Sequence, residues 1–178
     1  MSASGIKKIV ILFFHPLYHK SRINSEMLKT LKDLEGVNIR IMYDLYPDFH
    51  IHVKKEQEIL LENDIIIWQH PLYWYSSPSL RKEWIDIVLE HGFAFGKKGT
   101  KLAGKMVMTA ISAGGSREAY KNEGAGTCSI KQLLIPFQQT ASLCGMEYLP
   151  PFVVHGTHLL DGSGIQAAAG QYRKVVLA

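Results

Sequence analysis

The chain is poor in cysteine. Among its 178 residues only Cys128 and Cys144 occur, with no Cys-x-x-Cys. That argues against a disulfide framework or a thiolate zinc site and fits a reducing cytoplasm. Long apolar runs are also missing. Ile9 to Phe14 and Ile65 to Trp68 are the longest, far too short to cross a bilayer. Met1 to Gly5 has neither the basic nor the apolar region of a secretion signal, so a cytoplasmic protein without membrane insertion is expected. There is no G-x-x-x-x-G-K-[ST] and no G-x-G-x-x-G, which leaves a P-loop or a Rossmann dinucleotide site unsupported. The net charge is only +4. Its one concentration, Lys97, Lys98, Lys101 and Lys105, lies in a Gly-rich stretch without the basic stripe of a nucleic-acid binder. A solvated loop is its plain reading; a docking surface for an anionic nucleotide or acidic partner is the sharper one.

What is present is alternation. Short apolar runs at Ile6–Phe14, Asn38–Asp44, Asp64–Gln69, Lys105–Ser112 and Glu147–His155 read as strands. Amphipathic segments near 24–34, 53–62, 78–88, 130–141 and 163–176 read as helices. Pro136 is expected to kink the fourth of these helices. Pro150 and Pro151 place the fifth strand at a sheet edge. The pattern predicts one α/β domain over 1–178. It is a flavodoxin-like three-layer sandwich whose five-stranded parallel sheet has the order 2-1-3-4-5, with helices on both faces. The switch point then lies between strands one and three, and ligands bind at the carboxyl ends of the strands there.

The loops that meet at that point hold the unusual residues. After strand three come Pro71, Leu72, Tyr73, Trp74 and Tyr75. Three consecutive aromatics suit a flat hydrophobic ligand better than solvent. After strand one come His15, Ser21, Arg22 and Asn24; Ser21 stands at a helix N-cap, where free N–H groups and the helix dipole favour an anion. Helix capping alone is the plainer account of Ser21 and Asn24. After strand four come Ser112, Ala113, Gly114 and Gly115, whose glycines admit close backbone approach. Tyr120 follows, a phenol placed to donate. His155-Gly-Thr-His158 and His50-x-His52 read as turn and surface loop, and no metal site is expected.

Together these residues resemble the flavin-dependent NAD(P)H:quinone oxidoreductases of flavodoxin-like fold. The similarity is greatest to their short bacterial branch, which includes general stress protein 14 and the ancillary proteins of glutathione-regulated potassium efflux. The resemblance rests on His15 with Ser21-Arg22-x-Asn24, Tyr46-Pro47-Asp48-Phe49, His70 to Pro78, Gly92-Phe-Ala-Phe-Gly96, Ala113-Gly-Gly115 with Tyr120, and Pro150-Pro-Phe152. It implies FMN, with FAD as the alternative, held by the three loops, and NADPH or NADH as cosubstrate. It implies two-electron ping-pong hydride transfer through flavin N5 to a quinone or related electrophile, with Tyr120 in a catalytic role. A homodimer with interfacial active sites is implied too. So is, as the alternative function, an ancillary role beside a potassium-efflux transporter, which would place the protein peripherally at the inner membrane face. The family's histidine six residues beyond the catalytic tyrosine is replaced here by Gly126, and its Thr-Thr-Gly-Gly by Ser112-Ala-Gly-Gly.

Overall fold

The computed structural model describes residues 7–121 and 128–178. Its strands are β1 Ile9–Phe13, β2 Val37–Ile41, β3 Ile65–Pro71, β4 Met106–Ser112, β5 Glu147–Tyr148 and β6 Phe152–Val154. The helices are α1 Arg22–Lys29, α2 Met42–Leu45, α3 Val53–Glu62, α4 Ser79–Val88, α5 Ile130–Leu133, α6 Ile135–Leu143 and α7 Gly162–Leu177. The pairings are all parallel, in the order β2-β1-β3-β4-β5, with β6 also on β4.

The strand period of two divides the core. Val10 and Leu12 of β1, Ile66 and Trp68 of β3, and Val107 and Ile111 of β4 face α2, α3, α4 and α6. Ile9, Ile11 and Phe13, Ile67, Met108 and Ala110 face α1 and α7. Central strands buried on both faces are why their sequences are continuous apolar runs.

Four local departures from the expected elements have simple causes. The second strand stops at Ile41, and Met42–Leu45 forms one helical turn that buries Met42. Strand three continues through Pro71, which pairs with Ser112 at the strand end, where a missing N–H costs little. Pro136 does not kink a long helix. It sits in the first turn of a separate helix, α6, where proline is tolerated. The fifth strand is split by Pro150 and Pro151 into β5 and β6, at the sheet edge as the prolines require.

Candidate functional site

At the carboxyl ends of β1, β3 and β4 lies a cleft of about 720 Å³. It is lined from the first loop by His15, Leu17, Lys20, Ser21, Arg22, Ile23 and Asn24, and from the β3 loop by Pro71 to Tyr75. Ser112, Gly114, Gly115 and Tyr120 line it from beyond β4, and Thr157 and His158 from beyond β6. No carboxylate is among these residues, while Lys20, Arg22 and two histidines are. The cleft therefore favours an anion.

The first loop supplies donors. Ser21 N-caps α1, accepting from the Asn24 N–H at 3.2 Å. Asn24 itself is buried, and its amide is committed inward: Nδ2 donates to Ser21 Oγ and to Ser112 Oγ, 2.9 Å each. One amide thus ties the first loop to the third, and leaves both hydroxyl protons free to donate elsewhere. Asn24 Oδ1 is buried without a partner. His15 Nδ1 accepts from the Leu17 N–H at 3.1 Å, so its proton resides on Nε2. Burial holds the His15 ring below the ordinary histidine range, neutral at pH 7.

The second loop is strained. Tyr73 and Ser76 exchange backbone hydrogen bonds (2.9 and 3.3 Å) around a two-residue turn in which Trp74 has φ 48° and Tyr75 φ 61°. Two positive-φ residues make this a type I′ turn, which favours Asn-Gly. The left-handed region costs an L-residue about 1–2 kcal/mol. Trp74 is 94% exposed, so no packing within the chain offsets that cost. Substituting Asn-Gly for Trp74-Tyr75 is expected to raise stability by roughly 2 kcal/mol, measured as a higher urea midpoint at constant slope. A lowered midpoint would show that the aromatics hold the turn.

The third loop requires its glycines for space. A Cβ on Gly114 would come 2.8 Å from His158 Nε2, and one on Gly115 2.9 Å from the Tyr120 ring. The N–H groups of Trp74, Tyr75, Gly114 and Gly115 make no hydrogen bond among the described residues. Two pairs of free donors thus belong to two of the loops that line the cleft.

Of the expected site residues the structure brings together all but one. Ala113 is fully buried, lines no part of the cleft and gives its N–H to Val154 O at 2.8 Å; it couples β4 to β6. Leu17, Lys20 and Ile23 of the first loop, and Thr157 and His158 beyond β6, line the cleft without having been expected there. The loop after the last strand opens onto the same sheet edge, which was the available signal. His155 packs its ring on Tyr120, centroids 5.8 Å apart. The position of Gly126 lies outside the described residues. The Lys105 ammonium is engaged within the fold: its Nζ donates to Leu61 O of α3 and to Asn63 O just past it. Phe93 and Phe95 are half-buried against the core.

The family model Flavodoxin_2, described as a flavodoxin-like fold, matches residues 7–176. A glutathione-regulated potassium-efflux system ancillary protein KefF from Enterobacter sp. (strain 638) is 44% identical over 169 residues, 95% of each chain. Among solved structures, general stress protein 14 from Treponema denticola in complex with FMN is 30% identical with TM-score 0.88, over 95% of this chain and 97% of that one. A protein from P. pentosaceus described as NADPH-quinone reductase is 30% identical with TM-score 0.85, over 94% and 96%. A chain described as thermophilic tryptophan halogenase from Streptomycin violaceusniger is 45% identical with TM-score 0.91, over 96% and 98%.

Proposed function

Because this chain belongs to the Flavodoxin_2 family, we propose that its cleft binds FMN and that the protein is an NAD(P)H:quinone oxidoreductase. The observation that carries the reading is the cleft's division of labour. Its first loop supplies Ser21, Lys20, Arg22, His15 and the start of α1, with no carboxylate in the lining. The loops after β3 and β4 supply an aromatic turn and four free backbone N–H groups. A phosphate suits the first and a flat, carbonyl-edged ring the second. A mononucleotide fills both roles, and FMN is what the general stress protein 14 neighbour holds.

A bound flavin would supply the two-electron redox chemistry that links a reduced nicotinamide to a quinone. The chain's own residues bind and orient. Ser21 Oγ–H, His15 Nε2–H, Arg22 and the first N–H groups of α1 hold the phosphate. Trp74 and Tyr75 wall the ring, and the Asn-Gly variant therefore loses flavin while it gains stability. The Gly114 and Gly115 N–H groups donate where negative charge develops on the ring. Tyr120, packed on Gly115, donates its phenol proton toward the reacting oxygen. The halogenase description of one neighbour is not carried over, because no residue of the cleft argues for halogen transfer.

The exposed apolar residues Ile135 and Leu143 on α6 support a homodimer that completes each cleft. The KefF relatives support a second, compatible reading, an ancillary subunit of a potassium-efflux transporter. No helix among the described residues is long and apolar enough to cross a membrane, so such a role would require docking. Flavin-loaded protein mixed anaerobically with NADPH or NADH should bleach and recover its colour on adding a quinone. A flavin that neither nicotinamide reduces would sink the reductase reading. Tyr120→Phe should keep its flavin and slow turnover by about a hundredfold to ten-thousandfold, the range of a lost general acid. Unchanged rates with several quinones would remove Tyr120 from the chemistry.

A further inference from the structure

Arg81 is the most anomalous residue outside the cleft. It lies on α4, one turn past the aromatic loop, and is 0% exposed. Its guanidinium carbon stands 3.9 Å from the Phe137 ring centroid and 4.7 Å from that of Trp68. Nε, Nη1 and Nη2 have no hydrogen-bond partner, and no carboxylate pairs with it among the described residues. Burial pulls it down only to about 9, so it keeps its charge at neutral pH. Stacking between two aromatic faces recovers part of the cost. An unpaired buried cation nonetheless remains several kcal/mol dearer, in general, than an apolar side chain of the same volume.

Its position relates it to the cleft. Trp68 lies on β3 three residues before Pro71, a rise of about 10 Å, and Pro71 lines the cleft. Between them is His70, fully buried and held below the usual histidine range by burial and by the Arg81 charge. His70 Nδ1 lies 2.9 Å from Pro71 O, an acceptor, so Nδ1 carries the proton and the ring is neutral. Among the described residues no anion on this path cancels the charge: Glu56, the buried carboxylate of the same face, is occupied by Arg40, Tyr46 and Trp84.

We propose that Arg81 is a fixed buried cation whose field, acting from behind the strand that floors the cleft, favours the two-electron-reduced state of the bound flavin. The inference rests on the FMN reading. A hydride brings two electrons and one proton, so a flavin that accepts one from a reduced nicotinamide gains one net negative charge. A cation in a low-dielectric interior stabilises that charge without touching it. Arg81 is thus a positioning charge and not a catalytic residue, kept at the expense of stability.

The test compares Arg81→Met, Arg81→Gln and Arg81→Lys by equilibrium redox titration of the flavin-loaded proteins and by thermal unfolding of the flavin-free ones. Met and Gln should cut the affinity for reduced over oxidised flavin about tenfold, which is about 30 mV for a two-electron couple. Lys should stay within about threefold of the parent, the spread expected of a retained charge at shifted position. Met should also unfold at a higher temperature than the parent. Potentials unchanged in Met and Gln, with flavin bound, overturn the proposal, as do equal drops in Gln and Lys, which would mark shape and not charge. Should Met fail to fold, the Gln and Lys pair decides. A parent protein that takes up no flavin fails earlier and overturns the FMN reading itself.

Discussion

Glu56→Ala is expected to destabilise the protein by about 3–5 kcal/mol, the cost of leaving a buried cation without its counter-charge. Glu56 on α3 is fully buried. Its Oε1 accepts from Arg40 of β2 and from the Tyr46 hydroxyl at 2.6 Å, and its Oε2 from Trp84 Nε1 of α4 at 3.0 Å. One carboxylate therefore fastens the edge strand, the loop after α2 and two helices. Burial, aided by the carboxylate, pushes the Tyr46 phenol up to about 12, so that it stays a donor across the physiological range. In urea the midpoint should fall sharply with the slope preserved. Glu56→Gln keeps the shape but puts an N–H₂ where an acceptor is needed, and should recover only part of the loss. A shift under about 1 kcal/mol for alanine would mean that water replaces the carboxylate, and the network would not be the anchor described.

Asn24→Asp is the substitution with the largest expected effect on ligand binding. The Asn24 amide now donates to Ser21 Oγ and Ser112 Oγ. A carboxylate there would accept from both hydroxyls, turning their protons away from the cleft, and would add a buried negative charge beside the residues assigned to the phosphate. Hydrogen bonds to charged groups contribute about 1.5–3 kcal/mol each. FMN affinity should therefore fall at least about a hundredfold. Riboflavin, which lacks the phosphate, should lose much less. The comparison is a pair of fluorescence titrations on folded variant protein. Equal losses for the two ligands would place the phosphate elsewhere.

The sheet order and the meeting of three loops were legible because they follow from strand alternation and right-handed crossovers, which are properties of pattern. The role of Asn24 was legible only in part. Its position in the first loop could be read, but a side chain buried and tied to Ser112, 88 residues away, is a tertiary fact. Ala113 misled because its neighbours Ser112 and Gly114 both line the cleft, whereas it points into the core; the side-chain period of two reverses across one residue. His158 was discounted because two histidines at a strand end carry no spacing signal of their own. Arg81 left no trace in the sequence: beside Lys82 it reads as a solvated pair on a helix surface, and only the Trp68 and Phe137 rings against its guanidinium reveal that it is enclosed.

The most direct measurement is equilibrium binding of FMN, FAD and riboflavin to the purified, folded protein. The proposed function predicts one FMN per chain, bound at least about a hundredfold more tightly than riboflavin through the Ser21–Arg22 end. Protein that stays colourless with FMN, or that binds riboflavin equally well, would contradict the assignment of that end to a phosphate and with it the function built on the cleft.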